Sequence, residues 1–138
     1  MNVRKKILFI IISGIIYVLL SIFLFAHKII VEQYSIEWNI DDEIRVVQLT
    51  DLHNREIGDN NIKLISKVAE LKPDLIFMTG DMFNQTDNLD IISNCIRQLS
   101  KIAPVYFSYG NHEMHWENGT ETELRNTLTE AGATVLNC

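Results

Sequence analysis

The stretch Asp74-Leu75-Ile76-Phe77-Met78-Thr79-Gly80-Asp81 decides the fold. It is a short, continuous apolar run, of the kind found in central strands, that ends in a turn pair. On its N-terminal side, Ile62, Ile65, Val68, Ala69 and Leu71 recur at helical spacing. Asn60 or Asn61 can cap that helix, and Pro73 stops it. Further back, Ile44-Arg45-Val46-Val47-Gln48-Leu49 reads as another buried strand.

The rhythm continues on the other side. Leu89, Ile92, Cys95, Ile96 and Leu99 share one helical face. Pro104 precedes a strand over Val105-Tyr106-Phe107-Ser108-Tyr109. Thr120 opens a third helix with Glu123 three residues on, the spacing of a capping box. Leu124, Leu128 and Ala131 form its apolar side, Gly132 ends it, and Val135-Leu136 begins one more strand. Strands alternating with helices predict an α/β fold with a parallel sheet. Ahead of this series, Tyr34, Ile36, Trp38 and Ile40 alternate with Ser35, Glu37 and Asn39, which predicts a half-buried strand before the Asp41-Asp42 turn.

Residues 1–30 hold four of the 12 basic side chains and none of the 18 acidic ones. The remainder therefore carries eight against 18, a net of −10, which repels nucleic-acid backbones; no nucleic acid is expected as a partner. The N-terminal part differs in kind. Ile7 to Ala26 is a run of 20 residues without a charge, enough to cover roughly 30 Å of hydrocarbon as a helix. Arg4, Lys5 and Lys6 precede it, and only His27 and Lys28 follow closely. The positive-inside bias places the N-terminus in the cytoplasm and the acidic domain outside. The run is longer than a signal-peptide core, and Phe25-Ala26-His27 makes a poor cleavage site, which favours an uncleaved anchor. The expected organisation is a basic tail over 1–6, a single-pass signal anchor over 7–30 and a domain over 31–138. The membrane bilayer is the first expected partner.

Three polar clusters follow the three buried strands: Asp51-Leu52-His53, Gly80-Asp81, and Gly110-Asn111-His112-Glu113. In a parallel sheet the C-terminal strand ends share one edge, where ligands bind. The fold thus brings Asp51, His53, Asp81, Asn111 and His112 together. Carboxylate, imidazole and amide oxygen suit zinc, manganese or iron. Asp51 and His53 are two apart and can reach one ion from a strand end. A carboxylate such as Asp81 can bridge two ions, and such a pair can polarise a phosphoryl oxygen and activate water. Gly80 and Gly110 would allow tight turns close to the ions. Cys95 reads as a buried thiol, and a bridge from it to the terminal Cys138 is disfavoured. No CxxC or Cys/His finger spacing signals structural zinc. His115 reads as a solvated loop residue and Trp116 as a packing residue.

Taken in order, the three clusters resemble the first three motifs of the calcineurin-like metallophosphoesterases, over about residues 44 to 138. With the anchor, the chain is most similar to the membrane-associated bacterial branch. The resemblance implies a four-layer α/β/β/α sandwich, of which this chain is the N-terminal half, and a centre of two divalent ions. It implies that Asp51 and His53 bind the first ion, Asp81 bridges, and Asn111 binds the second. His112 would contact the phosphate and protonate the leaving oxygen, while Glu113 receives no catalytic task. Gly80-Asp81 continues as Met82-Phe83-Asn84, not as the Asp-Arg-Gly of the protein phosphatases, which disfavours protein phosphatase activity. The family's later Gly-His and Gly-His-x-His motifs have no counterpart. The expected function is hydrolysis of phosphomonoesters or phosphodiesters, lipid-linked ones being compatible, at the outer face of the membrane. The alternative is a truncated, inactive anchored protein or a module holding a single metal ion.

Overall fold

Parallel strands form here because each apolar run is followed by an amphipathic helix that returns the chain to the same end of the sheet. The structure, a computed structural model, describes residues 3–26, 29–37, 39 and 42–136, and of 22–26 the backbone only. The chain falls into two compact units, Met1–Glu37 and Trp38–Cys138.

The first unit contains one helix, α1 (Val3–Ala26). Its aliphatic and aromatic side chains from Ile7 to Leu20 are exposed on every side, and Ser21 Oγ donates to Tyr17 O at 2.8 Å. Among the described residues, which for the side chains of α1 end at Ser21, no helix is long and apolar enough to cross a membrane. The strand expected over Tyr34 to Ile40 does not form in its described part. Residues 34–37 are irregular and Tyr34 and Ile36 are about four-fifths exposed; Trp38, Ile40 and Asp41 lie outside the described residues. Alternation selects a face, but a strand also needs a neighbour for its N–H and C=O groups, and residues 34–37 pair with no strand among the described residues.

The second unit runs β1 (Val46–Leu49), a 3₁₀ turn (Asp59–Asn61), α2 (Ile62–Leu71), β2 (Leu75–Thr79), α3 (Asp90–Leu99), β3 (Val105–Ser108), α4 (Asn111–Met114), α5 (Glu121–Glu130) and β4 (Ala133–Val135). The sheet order is β1-β2-β3-β4, all parallel, with Val47, Ile76, Val105 and Ala133 in one row and Gln48, Phe77, Tyr106 and Thr134 in the next. Sequential order with crossovers of one hand puts the crossover helices α2, α3 and α5 on the same face. Burial agrees. Val47, Ile76, Met78, Val105, Phe107 and Ala133 point into a core closed by Leu64 and Val68 of α2, Ile92, Cys95, Ile96 and Leu99 of α3, and Leu124 and Leu128 of α5. Each fully buried aliphatic among these contributes about 1.5–3 kcal/mol. The opposite face stays partly open, its Phe77 and Tyr106 rings meeting edge to face at 5.8 Å. The second sheet of the expected sandwich is not among the described residues.

Local details refine the sequence reading. β1 is shorter and less buried than expected, with only Val47 in the core. Asn61 is the residue before α2, yet its side chain caps nothing there: Asn61 Oδ1 accepts from Ile57 N at 2.9 Å. Ile62 is exposed, and Leu64 is the buried anchor of that turn. Lys72, in the left-handed region, ends α2 ahead of Pro73. At α5 the capping box forms: Thr120 Oγ1 accepts from Glu123 N at 3.2 Å, and Glu123 Oε2 accepts from Thr120 N at 2.7 Å. The backbone donor of Thr120, aided by its hydroxyl, holds the Glu123 carboxyl below its ordinary value. Cys95 is a free, buried thiol, pushed up to about 12 by desolvation; Cys138 lies outside the described residues.

Candidate metal centre

The three loops at the C-terminal edge are laced to one another. Asp51 N donates to Gly80 O at 3.2 Å, His53 N to Asp81 O at 3.1 Å and Asn54 N to Met82 O at 2.8 Å, which ties the loop after β1 to the loop after β2. The second tie is a side chain. Glu113, 2% exposed, accepts from Asp81 N, Met82 N and Gly110 N, each at 2.8 Å, and from Phe83 N at 3.4 Å. The loops after β2 and β3 thus share one buried carboxylate. Gly80 and Gly110 meet at this seam. Gly80 has φ +91°, and a Cβ on it would lie 2.6 Å from Gly110 N and Cα. Neither position has room for a side chain.

This lacing holds the backbone in a sparsely populated conformation. Among the described residues seven non-glycine residues have positive φ, and four of them lie here: Asp51 (56°), His53 (47°), Asn54 (57°) and Asp81 (53°). Such conformations cost on the order of 1 kcal/mol or more each and cluster where side chains must be aimed. The effect is to turn three potential ligands inward. One ligand atom from each of Asp51, His53 and Asp81 lies within 4.8 Å of the others. His53 Nε2 is 3.9 Å from Asp51 Oδ1, too long for a hydrogen bond. Two ligands of one ion with bonds of about 2.1 Å sit about 3–4.2 Å apart, depending on their angle. Both side chains are substantially exposed, at 42% and 60%, so an ion has access.

Asn111 begins α4 and faces Asp81. As placed, its amide oxygen meets only acceptors; turned over, its nitrogen would donate to Asp81 Oδ1 at 3.3 Å and Oδ2 at 3.1 Å. Amide orientation is assigned from hydrogen-bond partners, so either a reversed amide or a cation between the oxygens satisfies the pair. Oxygens about 3 Å apart are spaced as neighbours on one octahedral ion. The donor set and its spacing therefore fit divalent ions. His112 follows. Its N–H donates to Asp81 Oδ1 at 3.2 Å, its ring lies edge to face with His53 at 5.0 Å between centroids, and its Nδ1 is buried without a partner among the described residues.

All five residues singled out in the sequence thus gather at one sheet edge. His115 caps α4 and is exposed, outside the cluster. Trp116 is half-buried, with Nε1 donating to Asp87 O at 3.0 Å, as its packing reading anticipated. Two contributors were missed. Glu113 had a local signal, since an acid three residues after an N-cap Gly110 can reach back to its N–H, as it does here. Asn84 had only its Asn-x-x-Asp spacing with Asp87, a turn signal silent about what the turn holds.

The calcineurin-like phosphoesterase family matches residues 44–134. The chain is 26% identical over 97 residues to the uncharacterized metallophosphoesterase YkoQ of Bacillus subtilis, covering 68% of this chain and 36% of that protein. It is 30% identical over 82 residues to the uncharacterized metallophosphoesterase Cj0846 of Campylobacter jejuni, covering 56% and 21%. It is 30% identical over 93 residues to the DNA double-strand break repair protein Mre11 of Methanocaldococcus jannaschii, covering 64% and 23%. The chain spans little more than a third of the first relative and under a quarter of the other two. With a parallel α/β sheet, a candidate metal-binding group on its C-terminal edge and a family match to about two thirds of its length, the chain belongs to the calcineurin-like phosphoesterase family.

Proposed function

We propose that this site serves a metal-dependent phosphoesterase that hydrolyses phosphomonoesters or phosphodiesters with two divalent ions, manganese, iron or zinc. The observation that carries the reading is the convergence of Asp51, His53 and Asp81 ligand atoms within 4.8 Å on a left-handed backbone. Asp51 and His53 would hold one ion, Asn111 the other, and Asp81 both. Bound ions of this kind supply Lewis acidity toward phosphoryl oxygens and activate the attacking water. The protein's own contribution is positional. The Glu113 seam fixes Asp81 relative to Asn111. His112 is tied to the centre by its backbone N–H on Asp81 Oδ1, and from its imidazolium form the Nε2 proton could be given to the leaving oxygen, leaving a neutral ring. A second reading, one ion held without turnover, is favoured by three groups gathering for the first ion against two for the second.

The outer face of a membrane is the proposed location, with the bilayer as partner and lipid-linked phosphoesters as compatible substrates. The support is the uncharged run Ile7 to Ala26 behind Arg4, Lys5 and Lys6, together with the exposed aliphatic and aromatic side chains of α1 from Ile7 to Leu20. The net −10 beyond residue 30 argues against a nucleic-acid substrate. Protease added to intact cells would digest the domain; protection of residues after Val31 would reject that orientation. The chemistry is tested by hydrolysis of bis(p-nitrophenyl) phosphate with parallel metal analysis. The proposal expects turnover that needs manganese or zinc and is lost in Asp81→Asn. One ion per chain with no metal-dependent turnover would establish the second reading instead.

A further inference from the structure

We infer that Asn84, held by Asp87, is a positioning residue that sets the tautomer of His53 and so leaves Nε2 free as a metal ligand. The inference rests on the metal-centre reading above and adds to it how one ligand is prepared. The chain of contacts begins at Asp87, whose Oδ2 accepts from both Asn84 N and Asn84 Nδ2 at 2.8 Å. The loop is closed by Asp87 N donating to Asn84 O at 3.0 Å. A carboxylate only accepts, so the Asn84 group facing it must be the NH₂. That assignment fixes the amide, and Oδ1 is then the atom facing His53 Nδ1, at 3.2 Å. An amide oxygen also only accepts, so Nδ1 must carry the proton. A neutral imidazole with its proton on Nδ1 has a bare lone pair on Nε2, the atom that faces Asp51 Oδ1.

Metal-binding histidines commonly have the second ring nitrogen held in this way, and losing the outer partner typically costs 10–100-fold in metal affinity. Asp87 is itself braced from the loop after α4. Its carbonyl oxygen accepts from Trp116 Nε1 at 3.0 Å and from Asn118 Nδ2 at 3.1 Å. The Asn84 amide is therefore locked from one side by a carboxylate on a fixed turn, and Asn84 Nδ2 also approaches His53 O at 3.5 Å.

The test uses the 138-residue chain in detergent micelles, labelled with ¹⁵N in histidine. Ring nitrogen shifts of the metal-free protein are read about two pH units above the ordinary histidine value of ~6.5. Zinc affinity is measured on the same samples. The wild type should show His53 protonated at Nδ1. Asn84→Ala should move His53 toward the Nε2-protonated form and weaken zinc about 10–100-fold. Asp87→Ala, which touches neither His53 nor an ion, should shift the tautomer in the same direction by releasing the amide; it carries the test if Asn84→Ala unfolds. A wild-type tautomer and affinity in both variants, with zinc lost in His53→Ala, would overturn the inference and leave the metal centre standing. Undiminished zinc binding in His53→Ala would overturn the ligand assignment itself.

Discussion

Replacing Glu113 by alanine should destabilise the domain more than any single surface change, because one side chain serves two loops. It accepts three backbone N–H groups at 2.8 Å and a fourth at 3.4 Å, and it is 2% exposed. An N–H left buried without an acceptor costs about 1–3 kcal/mol, so three give roughly 3–9 kcal/mol. The Asp81 and Gly110 bonds are only partly buried, and water can replace some of what is lost. The expected cost is then about 3–5 kcal/mol, against a total of about 5–15 kcal/mol for a domain. With a urea dependence of about 2 kcal/mol per molar, the unfolding midpoint should fall by roughly 2 M. Glu113→Gln should lose about half as much. One oxygen still accepts one pair of N–H groups, while the amide nitrogen opposes the other pair. The assay is urea unfolding followed by far-ultraviolet circular dichroism. A midpoint within about 0.3 M of wild type for Glu113→Ala would show that the seam does not hold the loops together.

Gly80→Ala should abolish stable folding of the site, since a Cβ there would sit 2.6 Å from Gly110 backbone atoms at φ +91°; soluble, cooperatively folding protein would contradict this. His112→Ala should keep its metal and lose about 10²–10⁴-fold in rate, most with alkyl leaving groups and least with nitrophenol; a loss independent of leaving-group acidity would remove the proton-donor role. Cys95, raised to about 12 by burial, should resist alkylation at pH 8 until the domain unfolds; rapid labelling of the native protein would refute the burial. The neutral thiol's contribution to stability should be complete below the unfolded value near 9 and lost as pH rises toward 12.

The sequence was most legible where local and global signals coincide. The run 75–79 is apolar, bounded and followed by Gly80-Asp81, and it became β2 with its C-terminal end at the site. The capping box of Thr120 and Glu123 is entirely local and formed as read. Asp51, His53, Asp81, Asn111 and His112 were legible because each follows a strand, and parallel topology alone brings strand ends together. Tyr34 to Glu37 misled because alternation says nothing about a partner strand. Glu113 and Asn84 were overlooked because their partners, Asp81 and His53, lie about 30 positions away. The left-handed conformations of Asp51, His53 and Asp81 were equally invisible, since the interloop hydrogen bonds impose them against local preference.

In the proposed centre Asp81 would serve two ions and His53 one. The most direct measurement is the number of manganese ions retained per chain after equilibrium dialysis, for the wild type, Asp81→Asn and His53→Ala. Asp81→Asn should lose both ions, and His53→Ala should retain the Asn111-side ion. Equal retention in the two variants would show that Asp81 does not bridge.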